Sequence, residues 1–178
     1  MATVNSYTSD MPTPDRTSLD EIVAAARELL ETDELTMQAV AQRVGVRPPS
    51  LYKRVASRDE LVQLVAEATL TELARIEGDI VAVARAYRAI AHERPAAFRL
   101  VMGGISSPLI VAASEPILRA AGALVGPKDA LVAARTFTAW ATGFISMELN
   151  GGFNLDGSVD DAWEFGLARM VDAITLKP

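Results

Sequence analysis

Residues 36–55 read TMQAVAQRVGVRPPSLYKRV, and the spacing within this stretch decides the fold. Thr36 is suited to cap a short helix on which Val40 and Val44 share one face, while the small Ala41 lets a second helix cross closely. Gly45, at the fourth position after Ala41, supplies the left-handed residue of a tight turn. Val46 and Leu51 then anchor a following helix over roughly Pro49 to Val55. Two short helices joined this way form either a plain helical hairpin or a helix-turn-helix, whose second helix can lie in a major groove.

The charge pattern favours the second reading. Between Gln42 and Arg58 stand five basic residues (Arg43, Arg47, Lys53, Arg54 and Arg58) and no acidic one, whereas the rest of residues 1–77 carries three basic and 13 acidic residues. A basic run is more commonly a solvated face, but here it coincides with the turn and marks a footprint for phosphates. Arg47, Pro48, Ser50 and Lys53 stand at or just before the start of the third helix, where base edges are reached. Tyr52, Lys53 and Arg54 can hold phosphates, as can the open N–H groups at the helix starts capped by Ser57 and Thr36. Tyr52 also has a packing reading, half-buried between helices.

Outward from this stretch everything reads as helix. Ser18 and Glu21 have capping-box spacing ahead of Leu19, Ile22, Val23, Ala26, Leu29 and Leu30. Ser57 and Glu60 repeat the spacing and open a fourth helix, about 58–77, ended by Gly78. Beyond it a fifth helix is expected from Asp79 to His92 and a sixth from Pro95 to Gly103. A seventh from Pro108 to Val125 has a possible break at Pro116, an eighth runs from Pro127 to Asn150, and a ninth from Asp160 to Ile174. No run alternates with period two long enough for a strand. The expectation is an all-α protein of about nine helices: a mobile arm over 1–16, a DNA-binding domain over 17–66 and a regulatory and dimerisation domain over 67–178, with the fourth helix linking the two.

Composition narrows the function. The chain of 178 residues is 50% hydrophobic, enough for a core, and has no cysteine, which excludes disulfides, thiolate metal sites and a cysteine nucleophile. The single histidine, His92, excludes a His-rich metal site; a role capping the fifth helix is expected for it. Asp160, Asp161 and Glu164 favour a helix start and are assigned no chemistry, and Gly122 and Gly126 are read as ending a helix. No nucleophile–base pair or phosphate-binding glycine loop occurs, so neither catalysis nor a cofactor or metal is expected. Residues 1–14 contain no Lys or Arg and no apolar run, which argues against a signal peptide, and the longest uncharged stretches are too short to span a bilayer; a cytoplasmic protein with no membrane partner is expected. The net charge of −6 argues against nucleic acid when taken alone, but its distribution does not.

Residues 17–66 resemble the DNA-binding domain of the TetR (tetracycline repressor-like) family of transcriptional regulators. The matching stretches are SLDEIVAAARELL, LTMQAVAQRVGV, SLYKRV and SRDELV. The family's usual phenylalanine is replaced by Val55, a smaller apolar plug. Where the family often has Ser or Thr leading into the third helix, this chain has Arg47-Pro48-Pro49. A residue before proline is pushed out of the α region, so Arg47 and Pro48 are expected to be extended and the helix to begin near Pro49, with Arg47 replacing a lost phosphate contact and reaching the groove.

The second half resembles, over looser matches, the regulatory domain of the family's Trp-His-Gly subgroup, through residues 87–95, 98–102, 140–144, 148–149 and 152–153, with Thr142 in place of the histidine. The eighth helix is apolar nearly all round and must be buried on more than one side. The resemblance implies that its inner side lines a ligand cavity and that the last two helices make a homodimer interface. Phe98, Met102, Phe137, Trp140, Phe144 and Met147 are the candidate cavity residues, each with ordinary core packing as its alternative. The implied function is a ligand-responsive regulator, a repressor in most of the family, binding a palindromic double-stranded DNA operator as a homodimer and released by a small apolar or amphipathic effector. A related module that has lost operator binding and acts through protein contacts is the alternative.

Overall fold

A computed structural model describes residues 17–175, and the arm expected over 1–16 lies outside the described residues. Among the described residues there are nine helices and no strand: α1 (Leu19–Glu31), α2 (Met37–Arg43), α3 (Pro48–Tyr52), α4 (Arg58–Ala74), α5 (Ile80–Glu93), α6 (Pro95–Met102), α7 (Leu109–Val125), α8 (Ala130–Leu149) and α9 (Val159–Thr175). No single helix among them is long and apolar enough to cross a membrane.

Local chemistry sets most boundaries. Ser18 Oγ accepts from the Glu21 N–H (3.1 Å) while the Glu21 carboxylate accepts from the Ser18 N–H (2.7 Å), a complete capping box. Thr36 and Asp79 accept from the N–H groups of Ala39 and Ala82 at the starts of α2 and α5. The α2 end is closed by two bonds, Val46 N–H to the Ala41 carbonyl (2.9 Å) and Gly45 N–H to that of Gln42 (3.2 Å), with Gly45 at φ +73°. This Schellman closure needs a residue at positive φ, which is why glycine stands there.

Three boundaries depart from expectation. Helix α3 starts one residue earlier than expected, with Pro48 inside it and only Arg47 extended (φ −78°, ψ 144°). Proline suits the first turn of a helix, where its missing N–H would have no partner within the helix. The Ser50 and Leu51 N–H groups, both bonded to the Arg47 carbonyl, close a turn that takes in Pro48 despite the restriction Pro49 places on it. Helix α4 stops at Ala74, where Arg75 and Ile76 donate to the carbonyls of Glu72 and Leu73 and tighten the last turn. Helix α8 starts at Ala130, after a turn over residues 127–129. The break considered at Pro116 does not occur: α7 runs through it.

Two cores form. Ile22, Ala26, Val40, Leu51, Val55 and Leu61 are wholly buried in the first, so Val55 does serve as an apolar plug. Phe98, Phe137, Ile145, Trp163 and Leu167 lie in the second. Helix α6 belongs to both: Ala97 packs in the first core and its neighbour Phe98 in the second. Helix α4 also serves both, packing against α1, α6 and α7. Trp163 is fully buried and stacks on Trp140 (centroids 4.9 Å apart, planes at 23°), which brings α9 onto α8.

Gly166 is the reason α9 approaches so closely. A Cβ there would stand 2.6 Å from Trp140 Cζ2. Gly166→Ala is expected to displace Trp140 and destabilise the fold by about 1–3 kcal/mol, read as a lower melting temperature.

Candidate functional site

The turn after α2 presents α3 outward. Leu51 and Val55 point into the first core, so the rest of α3 and the turn following it face solvent. Arg47, Pro48, Tyr52, Lys53 and Arg54 are exposed there and Ser50 is partly so, all brought onto one short helix and its flanks. Tyr52 is 51% exposed, which fits surface contact better than packing between helices. Thr36 and Ser57, at the starts of the flanking α2 and α4, are exposed as well.

Few backbone donors at the start of α3 are open. Pro48 and Pro49 have none, and the N–H groups of Ser50 (2.9 Å) and Leu51 (3.3 Å) both go to the Arg47 carbonyl. An anion at this end must be met by side chains. At the start of α4, Ser57 Oγ accepts from the Glu60 N–H, but the Glu60 carboxylate takes the Ala56 N–H (2.6 Å) rather than that of Ser57. The reciprocal bond expected from the spacing is therefore displaced by one residue.

The basic footprint is smaller than the count of five. The guanidinium of Arg43 pairs with Glu28 of α1, and Arg58 Nε donates to the Leu35 carbonyl (3.0 Å). Glu28 precedes the basic run by 15 residues, so reading the run alone misses it. Arg47 and Lys53 stand in the exposed stretch with Arg54 beside them.

A cavity of about 240 Å³ lies in the second half, walled by α4, α5, α7 and α8 and by the end of α6. Of the six residues proposed for it, Met102 and Phe137 line it; Phe98, Trp140, Phe144 and Met147 do not. Phe98 is core, edge-on to the Tyr87 ring (5.1 Å), Trp140 and Phe144 pack against Trp163, and Met147 is half exposed. Helix geometry explains the division. Phe137 and Ala141 share one face of α8, Trp140 and Phe144 another, and the bulky face fills its surroundings while the alanine-bearing face leaves room.

Tyr87 reaches from α5 across the cavity wall, its hydroxyl 2.9 Å from Thr142 Oγ1 and 3.5 Å from Met102 Sδ. Burial pushes the Tyr87 phenol above its ordinary value, against a smaller pull from Thr142.

Acidic residues read as inert tie helices together. His92 Nε2 lies 2.8 Å from Glu148 Oε2, so this histidine has a specific partner on α8 beyond the α5 terminus it was expected to cap. Glu148 also accepts from Arg88, Arg88 reaches Asp160, and Arg85 pairs with Glu164. Among the described residues no group of three or more His, Asp or Glu side chains could hold a metal ion.

Glu31, at the end of α1, accepts from the N–H groups of Ala96 (2.8 Å) and Ala97 (3.0 Å) and so caps α6 from 65 residues away. Arg94, beside it, shares Glu72 of α4 with Arg27 of α1. Sequence reading missed this junction; the clue was Arg94-Pro95, a helix start with no capping side chain of its own.

Residues 22–65 match the profile of "Bacterial regulatory proteins, tetR family" and residues 80–170 that of "Tetracyclin repressor-like, C-terminal domain". The chain is 28% identical over 159 residues to an HTH-type transcriptional regulator of Mycobacterium tuberculosis, covering 78% of this chain and 73% of the relative. It is 30% identical over 141 residues to an HTH-type transcriptional regulator of Saccharopolyspora erythraea, covering 72% and 60%. Among solved structures, BioQ of Mycobacterium smegmatis is 27% identical with a TM-score of 0.67, over 90% of this chain and 98% of that one. A TetR variant from Acinetobacter baumannii in complex with minocycline is similar in fold, at 23% identity and a TM-score of 0.67, over 89% and 96%.

Proposed function

This chain belongs to the tetracycline repressor-like (TetR) family of transcriptional regulators, and from that premise we propose that it is a ligand-responsive repressor which binds a palindromic operator as a homodimer. The observation that carries the reading is the exposed α3, flanked by Arg47, Lys53 and Arg54 and held outward by the Gly45 turn. Residues 17–66 form the DNA-binding unit and residues 67–178 the regulatory one, which we place in the Trp-His-Gly subgroup with Thr142 in the histidine position. Localisation in the cytoplasm follows from the work of such a protein.

Arg47, Pro48 and Ser50 are read as entering the groove with Lys53, and Tyr52, Lys53, Arg54, Thr36 and Ser57 as holding the backbone on either side. Two copies would place their α3 helices about 34–36 Å apart. The apolar residues exposed on α8 and α9, Leu131 (51%), Val132 (67%) and Phe165 (70%), are candidates for the surface a second copy covers.

Helix α6 offers a path for regulation. Its last turn, Val101 and Met102, lines the cavity, while its first turn is bonded to Glu31 of the DNA-binding unit. A ligand that displaces the last turn would move α1 and α4 with it and alter the spacing of the two α3 helices. The effect can be no larger than the ligand's differential affinity for the two spacings.

A genome-wide footprint, with salt-dependent binding to the chain's own promoter region, tests the function. Discrete protected palindromes and a steep salt slope are expected; no specific site would favour a protein-interaction module instead. Arg47→Ala is expected to weaken operator binding at least tenfold, since a good base contact contributes about 1–3 kcal/mol and each dimer loses two. A smaller loss removes Arg47 from the groove.

A further inference from the structure

The cavity beneath α6 has a lining with no Asp, Glu, Lys, Arg or His. A charged group carried to its inner end, against Phe137, Ala84 and Ala141, would lose its hydration without gaining a partner. Its polar atoms are few. The Ser114 hydroxyl donates its one hydrogen to the Ile110 carbonyl (2.8 Å) and, like Thr138, is exposed at the rim, so neither is a free donor inside the cavity's buried end. That leaves the Tyr87 hydroxyl, which has one good partner in Thr142 (2.9 Å) and one poor one in the Met102 thioether (3.5 Å). Sulfur is a weak acceptor on a flexible side chain, and Met102 is 40% exposed. An oxygen atom from a bound molecule can therefore displace it and accept a stronger bond from Tyr87.

Size follows from volume. An enclosed apolar cavity of about 150 Å³ takes benzene, so one of about 240 Å³ seats about ten non-hydrogen atoms, with the rim at Met102, Ser114 and Thr138 open to solvent. We propose that the effector is an uncharged, mostly apolar molecule of this size carrying one hydroxyl or carbonyl oxygen, which replaces Met102 as the partner of Tyr87. The proposal rests on the reading above that this cavity is the effector site.

Four probes that share one body test it by calorimetry on the full chain at neutral pH: phenylpropanol, propylbenzene, phenylpropanoate and phenylpropylammonium. Phenylpropanol is expected to bind about three- to tenfold more tightly than propylbenzene, the worth of one net hydrogen bond. Both ions are expected to bind at least about a hundredfold more weakly than the alcohol. Tyr87→Phe, which removes one oxygen atom, is expected to bring phenylpropanol to the level of propylbenzene and leave propylbenzene unchanged. Ala113→Phe, at a half-buried position on the wall, is expected to weaken both neutral probes.

Equal or tighter binding of either ion overturns the proposal. So does an alcohol preference that survives Tyr87→Phe, or the absence of binding by all four probes. The regulator reading fails separately, through the footprint without any probe. Specific DNA binding with an unresponsive cavity sinks this proposal alone, and probe binding as expected without specific DNA binding sinks the regulator reading and leaves the cavity's ligand class standing.

Discussion

Replacing Lys53 and Arg54 together by alanine is expected to flatten the salt dependence of DNA binding on every sequence. If each cation neutralises one phosphate, a dimer loses four contacts, and the log–log slope should become shallower by about 3.6. Extrapolated from 1 M salt, where counterion release contributes nothing, this is a loss on the order of a thousandfold near 0.15 M salt. Fluorescence anisotropy across a salt series, on an operator duplex and a scrambled one, separates this from loss of base readout: both duplexes should lose the same slope. Arg43→Ala is the control. Its guanidinium is engaged by Glu28, so its removal should alter the slope little. An unchanged slope in the double variant would place the footprint elsewhere.

The net charge of −6 has a narrower meaning in this light. Acids surround the basic flanks of α3, and Glu28 pairs with Arg43 at the end of α2. On the proposed reading, attraction to arbitrary DNA is then weak, and two copies of the patch at the right spacing supply the useful affinity.

The features legible in the sequence are the ones whose physics is local. The caps at Ser18, Thr36 and Asp79 and the turn at Gly45 each involve atoms within five residues of one another, so spacing alone encodes them. The start of α3 lies one residue before the expected one because the bonds from Ser50 and Leu51 to the Arg47 carbonyl and the fitness of proline for a first turn outweigh the restriction on a residue before proline. The cavity was harder to read. Bulky apolar residues on α8 suggested its lining, yet Trp140 and Phe144 fill the junction with α9, and the space lies beside Ala84, Ala113 and Ala141. A void forms where side chains are small, and which small residues face one another is a property of helix packing. Glu28 and Glu31 were missed for a related reason: each meets its partner only once helices distant in sequence are packed.

Removing the Glu148 carboxylate is expected to be the most destabilising single change among the charged residues. Glu148 lies in the last turn of α8 with its side chain 12% exposed, and it accepts from Arg88 Nε (3.0 Å) and from His92 Nε2 (2.8 Å). Arg88, 16% exposed, also pairs with Asp160 at the start of α9 and sits 5.2 Å above the Trp163 ring. One carboxylate thus joins α5 to α8, and through Arg88 to α9. In Glu148→Ala the guanidinium stays in place with only Asp160, itself 81% exposed, to balance it. Breaking a buried pair from one side costs about 3–5 kcal/mol, and the surviving Asp160 contact puts this case near 3 kcal/mol. For a chain of this size that is a melting temperature lower by about 6–12 °C. The pH dependence has a definite sign. Burial raises the Glu148 pKa, but the hydrogen bonds and charges of Arg88 and His92 outweigh it and hold the carboxyl below its ordinary value. The folded state therefore binds its proton less readily than the unfolded chain does. The stabilisation is fully present above the ordinary carboxylate range and is lost as pH falls through the depressed value. The gap in melting temperature between wild type and Glu148→Ala should accordingly be widest near neutrality and close on acidification. Glu148→Gln keeps the shape and one acceptor, so it should recover part of the loss at neutral pH and show little of the pH dependence. A gap that stays constant into the acid range would mean that packing, and not the charge on Glu148, holds these three helices together.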